Sequence, residues 1–133
     1  EELAVSLAWE RIQPQQIGQL EEALKNFEEA LAGTDVTAIA RADVDFHDVI
    51  FSSTGNARLV QILNNLREQM YRYRLEYLKD FSSHSRLLQE HKELLRAICA
   101  HDKETASKII RTHIYNQEIS VIRHIRQNQD GKE

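Results

Sequence analysis

The stretch around which this chain is organised is Asp43-Val44-Asp45-Phe46-His47. Asp43 and His47 are four residues apart, so in a helix they project from the same face, one turn apart. That face is otherwise apolar, because apolar residues recur along it at the period of a helix: Val36, Ile39, Ala40, Phe46, Ile50 and Phe51. A carboxylate on a core-facing stripe is costly unless a charge or a metal compensates it. The stretch therefore predicts a buried helix that carries a polar site.

Length and composition predict one domain over residues 1–133. A hydrophobic content of 41% and a charged content of 29% are typical of a soluble globular protein, and four Gly and one Pro favour a few long helices. The net charge of −4 comes without a basic tract that would grip DNA. One Cys excludes an internal disulfide and suits a reducing cytoplasm, and no apolar run approaches the roughly 20 residues that span a bilayer.

Apolar periodicity predicts an all-α antiparallel bundle with short connections. The first helix is expected at 2–12, the second from Pro14 to Gly33, and the third from a cap at Thr34 or Asp35 to about Ser53. The fourth is expected at 57–79. The fifth follows a polar loop at 80–84, and the sixth runs from near Asp102 past Ile125. On the fourth helix we expect an inner face formed by Leu59, Ile62, Leu63, Leu66, Met70, Tyr73 and Tyr77. A basic and aromatic flank, which includes Arg67 and Arg74, follows beside it.

Two further histidines lie on inward stripes of the fifth and sixth helices. His91 is eleven residues before the reversal near Asp102 and His113 is eleven after it, so in an antiparallel hairpin the two imidazoles should be level. Together with Asp43 and His47 they make three nitrogen donors and one carboxylate. That set suits zinc, nickel, manganese or iron, and in an octahedral site it leaves one or two positions open.

Other interpretations of these groups stay open. A single histidine in a core register is more often hydrogen-bonded than metal-bound, and Asp43 with His47 can be a simple ion pair. Spacing excludes the remaining candidates as residues that bind the metal directly, namely Asp45, Asp48, His84, His101, His124 and Cys99. Four side chains could contact an acidic ligand beside the metal: Arg67, Arg74, Asn116 and Ser120. The alternative is that the arginines are surface residues and that the polar pair faces solvent at the end of the bundle.

The ordered motifs resemble the FCD domain, the C-terminal effector-binding domain of FadR-type regulators in the GntR family of bacterial transcription factors. The resemblance rests on Asp43-x-x-Phe46-His47, then Gly55-Asn56, Glu90-His91, Ala97-Ile98, Asp102, Ala106 and His113. The opening Glu2-Leu3-Ala4-Val5-Ser6-Leu7-Ala8 is similar to the first-helix pattern of the family. The resemblance covers nearly the whole chain.

The resemblance implies a bundle of six to seven helices, a homodimer in the bacterial cytoplasm, and no enzyme activity. It implies a divalent transition metal, with zinc the first choice and nickel, manganese or iron the alternatives, held by Asp43, His47, His91 and His113. A small organic acid would bind at that metal and alter operator affinity. Operator DNA would be bound by an N-terminal winged helix-turn-helix domain, which we expect to lie outside this sequence.

Two rival functions remain from the residues. The first is a metal-dependent hydrolase or lyase, which would need a general base near the metal. Asp45 and Asp48 are expected to point away, and we identify no spare Glu on the inward stripes. The second is a purely structural dimerisation bundle with hydrogen-bonded histidines.

Overall fold

The chain folds into six α-helices and one short 3₁₀ turn, with no strand among residues 2–130, the part whose backbone the computed structural model describes. The elements are α1 (Glu2–Arg11), α2 (Pro14–Leu31), α3 (Val36–Ser53), α4 (Ala57–Leu78), the 3₁₀ turn Phe81–Ser83, α5 (His84–Cys99) and α6 (Lys103–Asp130). The description leaves out the side chains of residues 2, 5, 117, 118, 120, 121, 124 and 127–130. The predictions about Ser120 and His124 therefore lie outside the described residues. The expected all-α fold is confirmed.

Local side-chain hydrogen bonds explain where several helices begin. The Asp35 carboxylate accepts from the backbone N–H groups of Thr37 and Ala38 at the start of α3. Asp102 accepts from the N–H of Thr105 at the start of α6, as its position predicts. The polar loop expected at 80–84 is shorter than predicted, because Asp80 accepts from Ser82 to close the 3₁₀ turn.

The apolar core consists of two clusters that meet at one histidine. Phe46 belongs to the first cluster, with Ile50, Leu94, Ile98 and Ile110 among its members. Phe27 belongs to the second, with Ile39, Tyr77, Leu78 and Leu87. The His91 ring stacks on Phe27 at a centroid distance of 4.4 Å and lies 4.8 Å from Phe46. The polar site is therefore enclosed by aromatic side chains from both halves of the core.

The inner face of α4 differs from the prediction. Leu63 and Tyr77 are buried as expected, but Ile62, Leu66 and Met70 are 49%, 52% and 47% exposed. The helix instead turns Arg67 and Arg74 inward, with side-chain exposures of 14% and 11%. The reason is electrostatic, since each guanidinium meets a carboxylate of α3, Asp48 and Asp43 respectively, at 2.7 Å. The surface interpretation of these two arginines is wrong.

Within the described residues, none of the helices combines the length and the apolar character that crossing a bilayer requires.

Candidate metal centre

Four side chains from three helices converge in the interior. Asp43 and His47 come from α3, His91 from α5 and His113 from α6, and their exposures are 1%, 2%, 2% and 4%. One potential ligand atom from each lies within 4.8 Å of the others. Metal–ligand bonds of about 2.0–2.2 Å place two donors of one ion at most about 4.4 Å apart. The group is therefore compact enough for its four donors to bind one cation after small side-chain movements.

The two histidines of the α5–α6 hairpin lie at the same height, as their equal distances from the turn predict. The ring centroids of His91 and His113 are 5.2 Å apart. His47 lies 5.4 Å from His91 and 5.6 Å from His113. The three imidazoles thus form a nearly equilateral triangle, with Asp43 on the α3 side.

The hydrogen bonds of His91 test whether a cation fits. Its Nδ1 is 2.7 Å from the Leu87 carbonyl oxygen and its Nε2 is 2.7 Å from Asp43 Oδ1. Both partners are acceptors, whereas a neutral imidazole carries only one N–H. Burial lowers the pKa of His91, although the hydrogen bond to Asp43 opposes this, so the doubly protonated ring is disfavoured. Both His91 and Asp43 would hold a metal ion, which would accept the Nε2 lone pair and so remove the conflict; the donor set fits such an ion.

Asp43 divides its two oxygens between different partners. Oδ1 lies 2.7 Å from His91 Nε2 and 3.2 Å from His47 Nε2, and Oδ2 accepts from Arg74 Nη1 at 2.7 Å. Burial by itself raises the pKa of Asp43, but the charge of Arg74 and the contacts with both histidines outweigh it. The pKa lies well below its ordinary value, so the carboxylate is ionised.

Glu90 is the residue that sequence reasoning missed. It is 9% exposed, Oε2 accepts from His113 Nδ1 at 2.7 Å, and Oε1 accepts from Asn116 at 3.0 Å. Burial raises the pKa of Glu90, but the hydrogen bond and charge of His113 outweigh it and the pKa is lowered. The expectation of no spare Glu on the inward stripes is therefore wrong. The available signal was its place one residue before His91, about 100° round the helix and toward α6.

The role that this geometry assigns to Glu90 is to orient His113. A carboxylate on Nδ1 sets the tautomer and directs Nε2 toward the other ligands. Both oxygens of Glu90 are already occupied, so the residue is not placed as a general base.

Replacing Glu90 with glutamine is expected to weaken metal binding by about 10-fold or more. Loss of a carboxylate that orients a metal ligand typically lowers metal affinity by about 10- to 100-fold. The substitution keeps the shape of the side chain but removes its charge. Zinc affinity measured by competition with a chelating indicator would report the change. Glu93→Gln, one turn away on α5, is the matched control, and equal affinities for the two variants would contradict the assigned role.

The remaining predicted residues are distributed around this centre. Arg74 contacts Asp43, and Asn116 donates to Glu90. Arg67 donates to Asp48 and lies 5.0 Å over the Phe51 ring, while its buried Nη2 has no hydrogen-bond partner.

Among the residues that spacing excluded as ligands, those with described side chains lie outside the ligand group. Asp45, Cys99 and His101 are exposed, and His84 is buried against the Leu78 carbonyl at 2.8 Å.

A small cavity borders the three imidazoles. Its volume is about 10 Å³, and it is lined by His47, Glu90, His91, Leu94, Ile109, Ile110 and His113. That volume holds about one water molecule and is too small for an organic acid. An acid can enter only if neighbouring side chains move.

The fold and this centre define a class of protein, an all-α domain with a buried nitrogen-and-oxygen donor set suited to a divalent cation. The FCD domain family model matches residues 1–116. The chain is 27% identical over 135 residues to the HTH-type transcriptional regulator YdhC of Bacillus subtilis (strain 168), covering 100% of this chain and 58% of the relative. The chain belongs to the FCD domain family.

A solved structure supports the same fold. E. coli McbR/YncC superposes with a TM-score of 0.83 at 20% identity, covering 92% of this chain and 62% of the other. The chain thus spans about three fifths of the length of the proteins that it matches. The description of YdhC as a transcriptional regulator agrees with the expectation of a non-enzymatic domain.

Proposed function

We propose that this chain is a single effector-binding and dimerisation domain that recognises a small carboxylate metabolite at a metal held by three histidines and one aspartate. The observation that carries the proposal is the convergence of Asp43, His47, His91 and His113 in a buried site of an FCD domain. Recognition of the acid would alter how tightly the complete regulator binds operator DNA. As the resemblance to the family implies, a winged helix-turn-helix domain would bind the operator DNA, and the regulator would act in the bacterial cytoplasm.

The metal is a divalent transition ion, with zinc the first choice and nickel, manganese or iron the alternatives. Imidazole nitrogen and carboxylate oxygen suit all four ions. When bound, the ion supplies a Lewis-acidic position for a carboxylate oxygen. The four side chains hold the ion, and Phe27 and Phe46 keep bulk water from His91.

Among the residues proposed to contact the acid, Arg67 has a donor to offer. Its Nη2 is buried and unpartnered, whereas Arg74 and Asn116 are already bonded to Asp43 and Glu90. Phe51 connects Arg67 to the centre, since its ring lies 6.1 Å from that of His47. We propose that Arg67 donates to an oxygen of the acid, that Arg74 contacts the acid while keeping its bond to Asp43, and that Asn116 contacts it as well. The proposed contact of Ser120 concerns a side chain outside the described residues.

The decisive experiment compares metal-loaded, chelator-stripped and reloaded protein in calorimetric titrations with short-chain carboxylic acids. We expect at least one acid to bind the loaded and reloaded protein, and its affinity to fall at least 10-fold on stripping, since a metal–carboxylate contact is lost. Equal affinity before and after stripping would refute recognition through the metal. If wild-type protein takes up no stoichiometric metal, the structural dimerisation bundle is the better description.

The dimer interface that we propose is the exposed apolar stripe of α4, formed by Ile62, Leu66 and Met70. These residues are spaced four apart, so they lie along one side of the helix, and each is about half exposed. Monomeric proteins rarely leave such rows in water. Packed antiparallel across a two-fold axis centred on Leu66, the stripe would pair Ile62 with Met70 of the second copy.

Replacing Leu66 with aspartate is expected to convert a dimer into a monomer, because two carboxylates would face each other at the two-fold axis. Light scattering after size exclusion would measure the mass. Gln61→Asp, on the polar side of α4, should remain dimeric. A dimeric Leu66→Asp variant would exclude this interface.

The proposed interface also suggests how binding is transmitted. α4 contacts the ligand group through Arg74, and the same helix carries the stripe. An acid that changes the packing of α4 against α3 would shift one protomer relative to its partner, and so the spacing of two DNA-binding domains. It can do so only as far as its affinities for the two arrangements differ.

A further inference from the structure

Arg74 approaches the candidate centre from a helix that supplies none of the four proposed ligands. Its Nη1 lies 2.7 Å from Asp43 Oδ2, and both side chains are buried, at 11% and 1% exposure. The other oxygen of Asp43, Oδ1, faces the imidazoles of His91 and His47. With Oδ2 held by Arg74, Asp43 offers a single oxygen to a cation.

This ion pair changes the charge of the site. Asp43 and Arg74 cancel each other, so a divalent cation bound beside them keeps both of its charges. Glu90, bonded to His113, offsets one of the two. The ion pair of Arg67 with Asp48 has no net charge. Arg86 lies 3.8 Å from Glu90, but its side chain is 54% exposed, so water screens its charge. One positive charge remains in a buried place, where an uncompensated charge is costly.

The cavity lining opposes a second negative charge on the ligand. Leu94, Ile109 and Ile110 contribute aliphatic walls, and the acidic residue among the lining side chains is Glu90. A second carboxylate entering here would meet hydrocarbon and a like charge. The charge of the site and the composition of its walls therefore favour the same ligand, one with a single carboxylate and an apolar body.

We propose that Arg74 is a positioning residue that holds Asp43 as a one-oxygen ligand and thereby selects monocarboxylic over dicarboxylic acids. The proposal rests on the metal centre of the proposed function. It adds the number of charges on the preferred acid and names Arg74 as the residue that determines this preference.

The first test uses wild-type protein loaded with cobalt(II), titrated with succinate and with its monomethyl ester. The two probes share the four-carbon acid chain and differ by one charge and one methyl group. We expect the monoester to bind at least about 10-fold more tightly, followed by calorimetry. Equal or tighter binding of succinate would overturn the proposal, as would failure of both probes to bind the loaded protein.

The second test replaces Arg74 with methionine and with lysine. In Arg74→Met the second oxygen of Asp43 can reach the ion, so the visible absorption of bound cobalt should change and monoester affinity should fall at least about 10-fold. Arg74→Lys keeps the charge and should preserve most of that affinity. Arg72→Met, an exposed arginine of the same helix, is the control. An unchanged spectrum and affinity in Arg74→Met would overturn the proposal.

The outcomes separate this proposal from the one on which it rests. Wild-type protein that takes up no cobalt contradicts the metal centre itself. Wild-type protein that binds cobalt and both probes without a charge preference contradicts only the role of Arg74. If Arg74→Met does not fold, the comparison of the two probes on wild-type protein decides the question.

Discussion

Replacing His91 with alanine is expected to lower the affinity of the protein for zinc by at least about 100-fold. Loss of a residue that only orients a metal ligand costs up to about 100-fold, and loss of the ligand itself should cost at least as much. His91 is the donor whose second nitrogen is already held by the Leu87 carbonyl, so its Nε2 is directed at the site before any ion binds. Competition with a chelating indicator would measure the affinity, and elemental analysis the stoichiometry.

The matched control for this substitution is His84→Ala. His84 is also a buried imidazole of α5, 7% exposed, but it is bonded to the Leu78 carbonyl away from the ligand group. We expect it to bind zinc like the wild type. If His91→Ala retains wild-type affinity, His91 is a hydrogen-bonded core residue and not a ligand.

Removing the metal is expected to lower the midpoint of thermal unfolding by about 15 °C. A ligand present at 1,000 times its dissociation constant stabilises the folded state by about 4 kcal/mol, and a domain of this size shifts by roughly 4 °C per kcal/mol. Without the ion, His91 has two acceptors for one proton, and the three imidazoles lose their common partner. Calorimetric scans with and without chelator, at constant protein concentration, would measure the shift.

The His91→Ala variant supplies the control, because an about 100-fold weaker site at the same metal concentration would contribute only about 1.4 kcal/mol, so chelator should move its midpoint by about a third as much. A wild-type midpoint that is the same with and without chelator would mean that the Asp43–Arg74 pair alone satisfies the buried carboxylate. In that case the site would be a structural ion-pair network.

α4 shows where prediction from periodicity reaches its limit. Leu59, Ile62, Leu63, Leu66 and Met70 form a continuous apolar stripe, which predicted the buried face. The structure instead buries an adjacent face with Leu63, Arg67 and Arg74 and leaves much of the stripe in solvent. Periodicity identifies an apolar side of a helix, but it does not distinguish the core of one chain from the surface between two chains.

Glu90 shows a second limit. A glutamate next to an inward histidine is usually a surface residue, and its place beside His91 on α5 is too weak a signal to mark it as buried. Its burial depends on His113 and Asn116, which lie 23 and 26 residues further along the chain and meet it only when α5 and α6 pack.

The sequence by itself determined the helices, most of their ends and the inward direction of Asp43, His47, His91 and His113, because helical spacing and capping side chains act within a few residues. The equal heights of His91 and His113 followed from counting along one hairpin. Only the tertiary structure decided that Arg74 holds one oxygen of Asp43, that Glu90 holds His113, and that the stripe of α4 faces outward. Those features depend on pairs of helices, whose relative rotation is set by long-range charge pairing and packing.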